Sequence, residues 1–271
     1  MNLGISVDWD FFFPDLAQWD YGHKESPFFI NQVWTLRASS PNNPNPIEKI
    51  TPRESYKRFW HRLSRLGLTP PICFVAESHS INFDLIQFEN VDTLLVFDQH
   101  VDAYDKHHDS VTCENWLLMA LRKAPQLRAY LVLPAHQWID DKTVFGLNGL
   151  KIPEDVANRL TILNDNHFEG LARREFKGAV VLASFICRSG AWTPPWADEH
   201  FKGFLEDVTW EEFPDHGILE RPFNREAALE VRHFLRIQQQ NTPFFSKSGF
   251  LNAVSKLRRT PLLLEVPFGL S

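Results

Sequence analysis

"VDTLLVFDQHVDAYD" (residues 91–105) joins a hydrophobic run directly to an alternation of acids around a histidine. Thr93 to Phe97 reads as a buried strand, and Asp98, His100 and Asp102 follow it at alternate positions. Alternate residues of an extended chain share one face. In a straight strand, residues four apart stand roughly 13 Å apart, too far for short side chains to meet at one small centre. The chain is therefore expected to curl after His100. Charge gathered where a core strand ends suits a doubly wound α/β sheet, whose ligands bind at the carboxyl ends of the strands.

Two other stretches repeat the device. In "GISVDWDFFFP" (4–14) an apolar strand ends in Asp8 and Asp10, and "ICFVAESHS" (72–80) ends at His79 as a helical pattern begins. Three strand ends thus supply four carboxylates and two imidazoles. Unpaired buried carboxylates are costly, and two metal ions give a physical reason for the concentration. Carboxylate and imidazole ligands without thiolates suit Mn²⁺ better than a structural zinc. Two close cations can share a water and lower its pKa, which is a hydrolase's tool.

The rest of the chain supports that architecture. Its 271 residues, 44% of them hydrophobic, can bury a large core. Further strand candidates are "RAYLVL" (128–133), "LTIL" (160–163), "AVVLASF" (179–185) and "LLLEV" (262–266). Several are continuous apolar runs, as in strands buried on both faces of a parallel sheet. A helix is expected over 52–66, from a Thr51/Glu54 capping box and Pro52 to Gly67. Helical patterns also run near 114–123, 225–240 and 246–258. The alternation predicts a single three-layer α/β domain over 1–271, with long loops at about 20–50 ("SSPNNPNP") and 188–224 ("RSGAWTPPWADEH").

Several classes are disfavoured. A net charge of −6 speaks against nucleic acid, and no apolar run is long enough for a membrane span. An amino-terminal stretch with two acids and no basic region predicts no signal peptide. Cys73, Cys113 and Cys187 make neither a disulfide framework nor a zinc pattern, so they read as small buried residues. A cytoplasmic location is expected.

Together "AESHS" (76–80), "DQHVD" (98–102), "SVDWDFFFP" (6–14) and "LEVP" (264–267) resemble the motifs of the arginase, or ureohydrolase, superfamily. The resemblance covers the strand ends and not the helices or loops between them. It implies an arginase/deacetylase-like fold and two Mn²⁺ ions, the first held by His79, Asp98, Asp102 and Asp8. The second would take His100, Asp10 and the bridging carboxylates Asp98 and Asp8. Glu265 would bind the substrate guanidinium, with Tyr104, Asn115 and Trp192 as further candidate substrate contacts.

This sequence departs from the family pattern in four ways, the first being Phe13 where the family has an aspartate before the proline, here Pro14. Its S-x-D-x-D segment opens the chain instead of following the other motifs, which implies a permuted strand order. Tyr104 stands where arginases place an asparagine that reads the amino acid's carboxylate. The region of the family's proton-shuttling histidine holds Asn115 and Trp116, although His107 and His108 lie nearby. The arrangement resembles the peptide arginases, which convert arginine side chains to ornithine in ribosomally made precursor peptides. On that expectation the two loops flank the metals and form a groove for an arginine-containing peptide. Trp192 and Trp196 would serve as its walls, and Glu211 and Glu212 would favour basic substrates. A ureohydrolase of small free guanidines, a zinc deacetylase of related fold and a non-catalytic peptide-binding protein with a vestigial site remain the alternatives.

Overall fold

A computed structural model describes residues 1–15, 26–103, 110–137, 152–212 and 218–241. Its strands are β1 (Asn2–Asp8), β2 (Cys73–Ala76), β3 (Thr93–Phe97), β4 (Arg128–Leu133), β5 (Leu160–Asn164), β6 (Val180–Cys187) and β7 (Trp210–Glu212). All seven pair in parallel in one sheet of order β5-β4-β3-β1-β6-β2-β7. The six strands expected within the described residues all form. β7 is additional, and "LLLEV" lies outside the described residues.

β1 and β3 are buried along nearly their whole length, which explains their unbroken apolar runs. Successive side chains enter opposite cores, as the pleat requires. Leu3, Ile5, Val7, Leu95 and Phe97 pack with α3 (Phe59–Arg65), α7 (Asp165–Glu175) and α8 (Asp198–Leu205) on one face. Leu94, Val96 and Leu131 pack with α4 (His79–Leu85) and α5 (Trp116–Lys123) on the other. Helices therefore cover both faces of the sheet. No helix among the described residues is long and apolar enough to cross a membrane.

The helix expected over 52–66 forms with a different start. Residues Glu54–Arg58 make a 3-10 turn that runs into α3, and the Thr51/Glu54 capping box is absent. The Arg53 backbone N–H instead donates to Phe12 O at 2.7 Å, tying this segment to the turn after β1. Gly67 ends the helix with φ 75°, as a glycine C-terminal to a helix commonly does.

The two segments expected to be long loops carry regular structure. Within 20–50 lie α1 (Pro27–Ser39) and α2 (Pro46–Lys49), and only 40–45 of the Pro/Asn-rich stretch is irregular. Ser26 caps α1 by accepting from the Phe29 N–H, and Pro27 opens it. Residues 188–224 contain α8 and β7. The patterns at 114–123 and 225–240 become α5 and α9 (Arg225–Asn241), while 246–258 lies outside the described residues.

Candidate metal centre

The carboxyl ends of β1, β2 and β3 bring the three motifs together, although β1 opens the chain. Asp8 ends β1, and Asp10 lies in the 3-10 turn Trp9–Phe12 that follows. The Asp8 side chain caps that turn by accepting the Asp10 N–H at 2.8 Å. Asp98 repeats the arrangement, with Oδ1 accepting the His100 N–H at 2.7 Å. The expected curl occurs at Asp102, whose φ of 48° is left-handed, a conformation aspartate tolerates better than most residues. The Asp102 carbonyl then accepts the N–H groups of Leu117 and Leu118 at 3.1 and 3.3 Å, fastening the curl to α5.

Two ligand sets result. His79 Nδ1 lies 3.4 Å from Asp8 Oδ2, 3.3 Å from Asp98 Oδ2 and 3.3 Å from Asp102 Oδ2. His100 Nδ1 lies 3.0 Å from Asp10 Oδ2 and 3.5 Å from Asp98 Oδ1. Asp98 therefore turns one oxygen to each imidazole. On its far side, His79 Nε2 stands 3.5 Å from Ser6 Oγ, which leaves Nδ1 to face the carboxylates. A partner on the second ring nitrogen is what orients a ligating histidine.

The electrostatics call for a cation. Burial, and then the neighbouring carboxylates Asp10 and Asp98, raise Asp8 well above the ordinary carboxylate range. Burial followed by Asp102 and Asp10 raises Asp98 to about 7. Burial works against charge on both imidazoles, yet the surrounding aspartates outweigh it and raise His79, and His100 still further. Asp10 Oδ2 and Asp98 Oδ2 are buried and accept no hydrogen bond among the described residues. The two imidazoles face four carboxylates, and buried negative charge in excess of its partners is resolved by protonation or by metal coordination. The donor set, carboxylate oxygens and imidazole nitrogens, fits divalent cations of intermediate hardness.

His100 is the candidate ligand nearest solvent, with 31% of its side chain exposed, so it marks the mouth of the cluster. Trp192 lies against it, ring centroids 4.8 Å apart. The loop after β6 brings Trp192 there. Ser189 turns it with φ 55° and accepts the Trp192 N–H at 2.7 Å. α1 buttresses this loop from behind, where Trp34 Nε1 donates to Gly190 O at 2.9 Å and Arg37 donates to Ala191 O.

Other candidate residues fall elsewhere. Asn115 is buried and its amide holds a turn, accepting from Thr112 N–H at 2.7 Å and donating to Ser110 O at 3.1 Å. Its side-chain amide is thus engaged within its own turn. Trp196 packs against Trp34 and Phe223 and donates to Ile50 O at 2.9 Å, so it is a packing residue and not a groove wall. Glu211 lies on β7, the outermost described strand, opposite Phe74, three strand spacings, or roughly 14 Å, from β1. Tyr104, His107, His108 and Glu265 lie outside the described residues, as does the side chain of Glu212.

Four residues at the centre escape the sequence reading. Trp116 donates its indole N–H to Asp102 Oδ2. Gln99 donates to the carbonyls of Asp10 and Phe13, clamping the two acid-bearing turns together. Arg188, at the end of β6, grips Glu77 at the end of β2 and donates to Leu219 O at 2.6 Å. This pair closes the sheet edge beside His79, and Gly190 is obligatory there because a Cβ would strike Glu77 Oε1.

No protein-family model, curated protein or solved structure matches this chain. Fold and site together define an α/β protein with a buried carboxylate–imidazole centre at the carboxyl edge of a parallel sheet. Among the described residues, three groups of side chains could hold metal: Asp10/Asp98/His100, His79/Asp98/Asp102 and Asp8/His79/Cys187.

Proposed function

We propose that this chain is a dinuclear metal-dependent amidine hydrolase of arginase type, converting arginine residues of a peptide to ornithine and releasing urea. The observation that carries this reading is the division of Asp98, whose Oδ2 faces His79 and whose Oδ1 faces His100. One carboxylate between two imidazoles is the arrangement two cations would share. The sheet order supports a permuted arginase-like topology. β1 lies beside β3 and one strand from β2, so a D-x-D motif at the start of the chain still reaches the other two.

Mn²⁺ is the proposed ion, with Asp8, His79, Asp98 and Asp102 holding one position and Asp10, His100 and Asp98 the other. When bound, such a pair supplies Lewis acidity and lowers the pKa of water to the neutral range. The chain's own residues do the remainder. The burial of Asp8, Asp10 and Asp98 excludes bulk water beneath the centre, which strengthens every charge interaction there. His100 and Trp192 form the mouth, where an indole face suits a guanidinium. Glu265 is proposed to orient that guanidinium through charge-assisted hydrogen bonds. Addition of one water across the arginine side chain gives ornithine and urea.

The test is urea release, together with mass spectrometry of an arginine-containing peptide incubated with the protein and Mn²⁺. Free arginine and agmatine serve as parallel substrates. Turnover of the peptide supports the proposal, and turnover of only the small guanidines replaces it with a free-guanidine ureohydrolase. Metal binding without turnover of any of them would reject hydrolysis.

A further inference from the structure

We propose that Cys187 is a ligand of the metal position on the His79 side, giving that position a preference for thiophilic divalent ions that the His100 side lacks. The inference rests on the reading of the cluster as a metal centre. Cys187 is the last residue of β6, the strand between β1 and β2, and is in register with Asp8 on one side and Ala76 on the other. Its Sγ, an Asp8 oxygen and a His79 nitrogen all lie within 4.8 Å of one another, and all three residues are buried. The adjoining His79/Asp98/Asp102 group shares His79 with it and carries an oxygen open to a ligand. Asp98 Oδ2, fully buried and 3.3 Å from His79 Nδ1, accepts no hydrogen bond among the described residues.

The two positions therefore differ in chemistry. The Asp10/Asp98/His100 and His79/Asp98/Asp102 groups offer only oxygen and nitrogen, and sulfur enters through the Asp8/His79/Cys187 group, which shares His79 with the second. Thiolates select softer ions such as Zn²⁺, while carboxylates suit Mn²⁺ and Mg²⁺. Cys187 donates to Glu77 O at 3.4 Å, a weak thiol hydrogen bond. On ligation the thiol proton passes to solvent and the sulfur lone pair to the metal. Cys187 thus becomes the side chain through which the ion at His79 is chosen.

Cobalt(II) titrated into the full chain and followed by absorption spectroscopy tests this directly. The expected result is a sulfur-to-cobalt charge-transfer band in the near ultraviolet, lost in Cys187→Ser and kept in Cys113→Ser. Cd²⁺ affinity should fall at least about tenfold in Cys187→Ser. Cobalt bound without the band would overturn the role of Cys187 and leave the metal centre standing. Failure to bind either cobalt or Mn²⁺ would overturn both. Should Cys187→Ser not fold, the Cys73→Ala/Cys113→Ser variant retains only Cys187. A band there supports the assignment, and its absence overturns it.

Discussion

Trp116 holds Asp102 from behind: its indole N–H reaches Oδ2 at 2.9 Å while its ring lies 4.8 Å, centroid to centroid, from that of His79. One fully buried side chain thus braces two of the proposed ligands. Trp116→Phe keeps an aromatic ring and removes the donor. Mn²⁺ affinity is expected to fall about 10–100-fold, as for other partners that orient ligands. Isothermal titration measures it, and unchanged affinity would mean that the indole only fills space.

Asp98 and Asp102 should differ in what their loss removes. Asp98→Asn weakens both proposed positions, while Asp102→Asn weakens only that of His79. Metal analysis after dialysis is expected to find less bound metal in Asp98→Asn than in Asp102→Asn, with activity more completely lost. Equal stoichiometry in the two variants would refute a shared carboxylate.

The acids also predict a pH signature for the metal-free protein. Asp98 titrates at about 7 in the folded chain against an ordinary 3.8, so the folded state holds a proton there that the unfolded state has released. Where the native state binds more protons, stability falls as pH rises. The raised imidazoles His79 and His100 act in the same direction above 6.5. Asp98→Asn removes the titrating carboxylate. Its melting temperature relative to metal-free wild type is therefore expected to rise between about pH 5 and about pH 8. A constant difference across that range would contradict the folded-state titration of Asp98.

Glu265 carries the proposed recognition of the guanidinium. Glu265→Gln should leave metal stoichiometry intact, because the carboxylate is not a proposed ligand. Loss of one charged hydrogen-bond partner costs roughly 1.5–3 kcal/mol, so kcat/KM is expected to drop at least about tenfold. Steady-state kinetics on the peptide decides the matter, and near-normal turnover would remove Glu265 from the mechanism.

The strand framework was legible because β1 and β3 are buried on both faces, which forces unbroken apolar runs. The candidate cluster was legible because acids or a histidine stand where such runs stop. α1 was not, since Ile30, Val33, Trp34, Thr35, Arg37, Ala38 and Ser39 are all buried and leave no single apolar stripe. Its signals were Ser26 and Pro27, a cap and a first-turn proline. The Thr51/Glu54 pattern misled for the opposite reason, because the bond from Arg53 to Phe12 sets where the helix begins. Trp116 and Cys187 carry no periodic signal. Cys187 meets Asp8 only because β6 lies beside β1, and strand order is not written in any local stretch.

That placement of β6 has a consequence for synthesis. β2 has no direct pairing with β1; β6 is bonded to both and sits between them. A growing chain that has emerged only as far as Asp102 already holds Asp8, Asp10, His79, Asp98, His100 and Asp102, yet lacks the strand that sets His79 at its distance from Asp8. The native distance between His79 and Asp8 is therefore complete only once Val180–Cys187 has joined β1 and β2. Such non-local pairing is the slow part of folding a parallel sheet.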